Sequence, residues 1–311
     1  MSRAVVFAYH NVGVRCLATL LARGVEVALV VTHRDNPNEQ IWFESVAALA
    51  ASHGIPVITP DDPNTPEVVA AVAATEPDFL FSFYYRNMLK PALLNIPKRG
   101  CFNMHGSMLP QYRGRVPVNW AVLRGETETG ATLHVMNEKP DNGAIVDQQM
   151  VPILPDDTAH EVFGKVTVAA EIVLWRCLPA LLDSSIELKP QDLTQGGYFG
   201  GRKPEDGRID WRQSAAALHN FVRALAKPYP GAFADLESGR LVLWKTRRLS
   251  GPVAAPLATA TLLLENGELV LKCADGHRLA ILDAELDGTP LTAAAFQARF
   301  GGQALPLLNR I

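Results

Sequence analysis

The stretch CFNMHGSMLPQYRGRVPVNW, residues 101–120, decides how the rest of the chain is read. Its first part has the apolar character of a short strand, with Asn103 and His105 two residues apart, so both side chains leave the same face of the pleat. An amide and an imidazole are thereby set side by side. Gly106, Pro110, Gly114 and Pro117 follow at once, residues that fix turns and permit close backbone approach. A sharp break at the end of a strand is where α/β proteins usually present their chemistry.

Outward from this stretch the pattern is strand, helix, strand. Residues 4–8 read as a strand, 14–23 as a helix with Leu17, Leu20 and Leu21 on its apolar side, and 27–32 as a second strand after Gly24. Further strands are expected at 55–58 and 79–83, with a proline-led helix at 66–74. The first turn carries the single glycine Gly13 where a dinucleotide fingerprint requires GxGxxG, so the layer is Rossmann-like without support for a bound dinucleotide. Downstream, 117–124 reads as a helix, 130–136 and 144–152 as strands, and 159–182 as a long helix. The passage 191–210 is too irregular for a regular element and reads as a connection. After a helix at 215–225, short β-prone pieces at 232–236, 241–247, 259–265, 269–274 and 279–286 are punctuated by Gly239, Asn266-Gly267 and Gly276, as in a small barrel or sandwich.

Composition narrows the class. The chain has 311 residues, 48% hydrophobic and 20% charged, with a formal net charge of -3. That balance suits a globular protein of two domains and argues against one built to coat nucleic acid. Lys245, Arg247 and Arg248 form a modest basic cluster that reads as a solvated face. Cys16, Cys101, Cys177 and Cys273 are far apart in apolar stretches and read as buried thiols. The opening MSRAVVFAYH runs straight into a strand pattern, unlike a signal peptide, and no apolar run reaches membrane-spanning length, so a cytoplasmic protein is expected. No HExxH or close cysteine and histidine cluster suggests a metal.

Asn103, His105 and Asp141 form a physically coherent set. Histidine can carry a proton, asparagine can donate to a developing oxyanion without titrating, and a carboxylate can orient the imidazole. Asp141 lies in an Asp-Asn-Gly turn able to approach the central strand. The same three residues can equally pin turns and loops, and spacing alone leaves both readings open. Tyr84, Tyr85 and Arg86, at a strand end, either meet a ligand or pack under the next helix. HRDNPNEQIW, 33–42, is either a loop over a site or a plain surface connection before a helix at 43–52.

The run FNMHGSMLPQYRGRVPVNWAVLRGETETGATLH, followed by KPDNGAIV, resembles the core of the 10-formyltetrahydrofolate-dependent formyltransferase family. The likeness continues through FGGRKPEDGRIDW and LHNFVRALAKPYPGAF and covers essentially the whole chain. Met104 and Met108 stand where leucine is frequent, a difference of packing more than of chemistry. The phrases VVFAYHNVG, THRDNPNE and FSFYYRNML resemble most the formyltransferase domain of the bifunctional UDP-4-amino-4-deoxy-L-arabinose formyltransferase/UDP-glucuronate decarboxylase enzyme of lipid A modification and polymyxin resistance. Its decarboxylating dehydrogenase half has no counterpart in this chain, so neither that activity nor an NAD site is expected.

The resemblance implies an α/β protein with a Rossmann-like formyltransferase domain at 1–203 and a smaller OB-like β-barrel domain at 204–311 that includes its leading helix. It implies 10-formyltetrahydrofolate as formyl donor, no metal, and an amino-sugar nucleotide as acceptor, without nucleic acid or membrane insertion. Asn103, His105 and Asp141 take the catalytic positions. Tyr84, Tyr85, Arg86, Met88, Met136 and Lys139 fall at the folate site. Ser107, Tyr112, Arg113, Gly114 and Arg202 fall at the acceptor site. Methionyl-tRNA formyltransferase and a non-catalytic folate or nucleotide-binding module are the alternatives.

Overall fold

The computed structural model describes residues 2–37, 39–251 and 255–309; Met1, Asn38 of the polar 33–42 segment, 252–254 and the last two residues lie outside them. Among the described residues the chain divides into two compact units. One comprises Met1–Pro117, Glu128–Pro152 and Phe163–Gly200, the other Val118–Thr127, Ile153–Val162 and Gly201–Ile311.

The first unit is built on seven strands, β1 (Arg3–Ala8), β2 (Glu26–Val31), β3 (Val57–Ile58), β4 (Phe79–Phe83), β5 (Cys101–His105), β7 (Glu128–Val135) and β8 (Ile145–Pro152), in the order β3-β2-β1-β4-β5-β7-β8. A two-residue β6 (Arg113–Gly114) stands apart, paired in parallel with β9 (Tyr198–Phe199). Strands β1 to β5 pair in parallel, while β7 and β8 run antiparallel. The parallel strands are nearly continuous apolar runs because both of their faces are covered. Alternation sends Val5, Phe7, Leu80 and Cys101 to one face, where they pack with Val68, Val72 and Leu93. Phe79, Phe81, Phe83 and Phe102 point the other way and stack in a row.

Helices α1 (His10–Ala22), α2 (Val46–Ser52), α3 (Pro66–Ala74) and α4 (Pro91–Leu94) connect these strands. Two starts differ from the sequence reading. Helix α1 begins four residues before position 14, behind Tyr9, which makes no side-chain cap and so leaves no mark in the sequence. Helix α2 begins at Val46, not 43, because Ser45 accepts a hydrogen bond from the Ala48 N–H, a cap worth about 1 kcal/mol. Phe43 is left free to pack on Tyr9 and His10. Helices α5 (Pro117–Arg124) and α6 (Ala159–Leu182) run over the expected residues. The passage 191–210 is less irregular than expected, since it holds β9 and a 3-10 turn, Pro204–Gly207.

The second unit is a curled, barrel-like antiparallel sheet. Its strands are β10 (Ala232–Leu236), β11 (Gly239–Arg248), β12 (Thr261–Glu265), β13 (Glu268–Lys272), β14 (Arg278–Leu286) and β16 (Leu305–Pro306), in the order β10-β11-β14-β13-β12-β16, with β15 (Thr289–Pro290) on β14. Asn266 and Gly267, both at positive φ, make the two-residue turn between β12 and β13. Helix α7 (Ala215–Leu225), capped by Ser214, sinks Leu218 and Val222 into a core with the fully buried Trp211 and Phe296. Phe296 comes from α8 (Ala293–Phe300), a helix absent from the sequence reading. The four cysteines are buried, unbridged thiols. Among the described residues no helix is long and apolar enough to cross a membrane.

Candidate active site

Strand β5 ends in the stretch that organised the sequence. Cys101 faces the apolar cluster of β1 and α3, so Asn103 and His105 leave from the same face, one and two steps nearer the strand end. Antiparallel pairing with β7 sets His134 directly opposite Asn103, and Thr132 opposite His105. Asp141 then reaches the same place from the β7–β8 connection, with its backbone at φ 56. Its Oδ1 lies 3.5 Å from His105 Nδ1 and 3.5 Å from His134 Nε2.

The three side chains are nearly dry: His105 is 7% exposed, His134 2% and Asp141 10%. Burial acts on both members of the His105 and Asp141 pair. It holds the His105 pKa below the ordinary imidazole value, with Asp141 and the Tyr112 carbonyl opposing. Burial also raises the pKa of Asp141, but the imidazoles of His105 and His134 and the Gly114 N–H outweigh it and bring the carboxyl down to about 2. Asp141 is therefore anionic across the working range. His105 Nε2 is 2.8 Å from the Tyr112 carbonyl, an acceptor, so that nitrogen carries the hydrogen.

The turn after β5 is fixed from several sides. Gly106 is required because a Cβ there would overlap the Tyr84 hydroxyl. Gly114, at φ 101 against the Phe199 carbonyl, donates its N–H to Asp141 Oδ2 at 2.8 Å. The buried Thr132 hydroxyl accepts from Leu109 N–H and Gln148 Nε2 and donates to the Ser107 carbonyl. Gln191 Nε2 donates to the carbonyls of Asp141 and Gly143, holding the loop from outside. Among the described residues no group of three or more His, Cys, Asp or Glu side chains is placed to hold a metal.

The remaining sequence candidates are placed as follows. Ser107 is buried and donates to the Gln111 carbonyl, Tyr112 stacks on Phe199, and Arg113 reaches Asn142 Oδ1 and the Leu193 carbonyl, both uncharged. Tyr84 packs against Phe163. Tyr85 stacks on His33 and meets Phe7 edge-on, its hydroxyl pushed up to about 12 by burial. The Arg86 guanidinium forks onto Glu39, and its N–H donates to His33 Nε2. Burial, then the Arg86 charge, lowers the His33 pKa to about 4. Met88 is exposed, Met136 packs on the β1 and α3 cluster, and the Lys139 N–H is bound by Asn137. Arg202 belongs to the second unit, where it binds Asn119 and the Asp206 carbonyl.

Sequence reading passed over His134, His33, Glu39 and Gln191. The polar segment 33–42 is tied down by Tyr9 Oη to Asp35 as well as by the bonds to Arg86. His134 had one available signal, its place on a strand able to pair with β5, but the register needed to use it is set by tertiary contacts.

A family model described as formyl transferase matches residues 5–178, and one described as formyl transferase, C-terminal domain, matches 202–301. Among solved structures, the chain is similar to an N-formyltransferase from Helicobacter canadensis, solved with folinic acid and dTDP-3-aminofucose. The two share 20% identity over 90% of this chain and 99% of that one, with a TM-score of 0.68. Similarity extends to the sugar 3N-formyl transferase WlaRD, solved in the presence of dTDP and 5-N-formyl-THF, at 19% identity, 90% and 97% coverage and TM-score 0.69. A sugar N-formyltransferase from Shewanella gives 21% identity, 82% and 99% coverage and TM-score 0.63. At these identities the shared property is the fold.

Proposed function

Because the chain belongs to the formyl transferase family, an enzyme family of formyl transfer, we propose that it moves the formyl group of 10-formyltetrahydrofolate onto the amine of a sugar nucleotide. The observation that carries this reading is the buried pair of His105 and Asp141 at the end of β5, with the half-buried Asn103 on the same face of the strand. UDP-4-amino-4-deoxy-L-arabinose is the first-choice acceptor on the wording of the VVFAYHNVG and FSFYYRNML segments. A dTDP-linked 3-amino sugar is the second, favoured by the ligands of the similar structures.

In the proposed reaction the lone pair of a neutral sugar amine attacks the formyl carbon. A carbon–nitrogen bond forms while the carbonyl electrons move onto oxygen. Asn103 Nδ2–H and His105 Nε2–H are the donors for that oxyanion, the developing charge competing with the Tyr112 carbonyl for the His105 hydrogen. Collapse restores the carbonyl and breaks the bond to the donor nitrogen, which takes up a proton as tetrahydrofolate leaves. The amine loses one proton. The donor nitrogen gains one as it leaves, so the exchange balances, and anionic Asp141, beside His105, is proposed to help manage the proton the amine gives up. No covalent enzyme intermediate is needed.

The folate ring is assigned to the space beside the Tyr84 to Arg86 turn and the 136–141 loop, whose backbone groups can read a pterin edge. Two observations fit: the turn is held by His33 and Glu39, and Met136 packs on the same apolar core as Tyr85. Arg113, whose partners Asn142 Oδ1 and the Leu193 carbonyl are uncharged, is assigned to an acceptor phosphate through its forked donors. Incubation with 10-formyltetrahydrofolate and each of UDP-4-amino-4-deoxy-L-arabinose, a dTDP-3-amino sugar and charged initiator tRNA, read by product mass, tests the assignment. Formylated sugar nucleotide is expected. Formylation of tRNA with every amino sugar inert would overturn it.

A further inference from the structure

His134 takes no part in the reaction as written, yet it is the side chain directly across the sheet from Asn103. Its Nδ1 stands 2.9 Å from the Val135 carbonyl. A carbonyl can only accept, so Nδ1 bears a hydrogen, and in the neutral ring Nε2 holds the lone pair. That lone pair faces Asn103 Nδ2 at 3.1 Å. The amide therefore donates to the ring. The two ends of an asparagine side chain are alike in shape, and only the hydrogen-bond network decides which end points where.

We propose that His134 is a positioning residue, which by accepting from Asn103 Nδ2 holds the NH2 end of that amide toward the reacting carbonyl. The inference rests on the oxyanion role assigned to Asn103. An amide nitrogen has two hydrogens. One is spent on His134, leaving the second for the formyl oxygen. Without the acceptor, a half-turn about the last side-chain bond presents the Asn103 carbonyl oxygen to a developing oxyanion. Two like partial charges would then meet where attraction is required. The Val135 carbonyl is the anchor of the device, since it selects the tautomer that leaves Nε2 free to accept. Asp141, whose Oδ1 is 3.5 Å from the same nitrogen, is the competing group. A proton drawn onto Nε2 by Asp141 would turn it into a donor and release the amide.

The consequence is measurable as loss of turnover without loss of binding. His134→Leu is expected to lower kcat about 100-fold, the scale of one misplaced oxyanion donor. KM for both substrates should stay within about threefold, since only a transition-state contact is disturbed. His134→Gln, whose Oε1 can stand near the place of Nε2 as an acceptor, should recover kcat to within about tenfold of the parent. In an Asn103→Ala background, already slow, His134→Leu should cost almost nothing more, because the two residues act as one unit. Losses that multiply instead overturn the proposal while leaving the role of Asn103 intact. Near-normal turnover by Asn103→Ala alone would instead remove the oxyanion reading itself. Nitrogen-15 NMR of the histidine rings in the unsubstituted protein supplies a check that needs no variant. A hydrogen on Nδ1 of His134 is expected, and a neutral ring protonated on Nε2 would overturn the proposal.

Discussion

His105 in the first unit and His219 in the second are buried to nearly the same degree, and burial lowers the pKa of both. Their surroundings differ in kind. His219 Nε2 donates to the Pro155 carbonyl and its Nδ1 accepts from the Thr246 hydroxyl, so the ring is a brace fixing α7 to β11 and to the segment before α6. The carboxylate beside it, Asp156, is 56% exposed and screened by water. The carboxylate beside His105 is nearly dry, takes a backbone N–H from Gly114 and sits between two imidazoles. A shifted histidine is therefore a poor marker of chemistry by itself. The buried anion behind it separates the ring proposed to work from the brace.

The contrast breaks most easily at the anion. Asp141→Asn keeps the shape and removes the charge, and kcat should fall about 100- to 1,000-fold, in the range of lost electrostatic stabilisation. Circular dichroism should show an intact fold; turnover near the parent value would mean that Asp141 serves only as a loop pin. His219→Ala should behave oppositely. Leaving the Thr246 hydroxyl and the Pro155 carbonyl without their partner should cost about 1–3 kcal/mol in urea unfolding. Its kcat under folding conditions should stay within about twofold, as for a residue outside the transition state.

Acid gives a smaller, graded effect. His33, His105 and His219 all have folded pKa values below the unfolded one, so the unfolded chain binds more protons as pH falls. Stability should be complete at pH 7 and decline below about 6.5, the unfolded histidine value. For His33 the decline ends near its folded value of about 4. The contribution of Asp141 starts to go only below about 4, the unfolded carboxyl value, and is spent near its folded value of about 2. Urea midpoints across this range check the order, and His33→Asn should flatten the slope between pH 6.5 and 4. The least effect is expected from Arg240→Gln, which removes an exposed fork onto Asp235 and should leave the Tm essentially unchanged.

Much of this was legible in the sequence, for identifiable reasons. Strand β4, α3, α5, α6, α7 and β10 lie at the expected residues because each is bounded by a proline, a capping side chain or a glycine. Helix α8 was passed over although Thr292 caps it and Gly301 ends it, because its apolar stripe is reduced to alanines around Phe296. The juxtaposition of Asn103 and His105 follows from strand periodicity alone. Asp141 required a long loop to close, and the spacing allowed this without demanding it. The pairing that brings in His134 depends on which strand lies beside β5 and in which register, information that no local pattern carries. The holding of Arg86 by Glu39 and His33 is likewise a contact across about fifty residues of chain, made by a segment whose own sequence is only polar and turn-rich.

Thr132 gives this arrangement an unexpected handle. Its one hydroxyl ties two segments to its own strand, the 107–109 turn at two points and Gln148 of the edge strand β8. Valine has nearly the same shape and none of the bonds. A single methyl-for-hydroxyl exchange would thus unfasten the turn from the rim of the sheet while leaving every proposed substrate-facing side chain unchanged. The turn that carries the proposed acceptor residues would in this way be loosened from inside the fold, at a fully buried position.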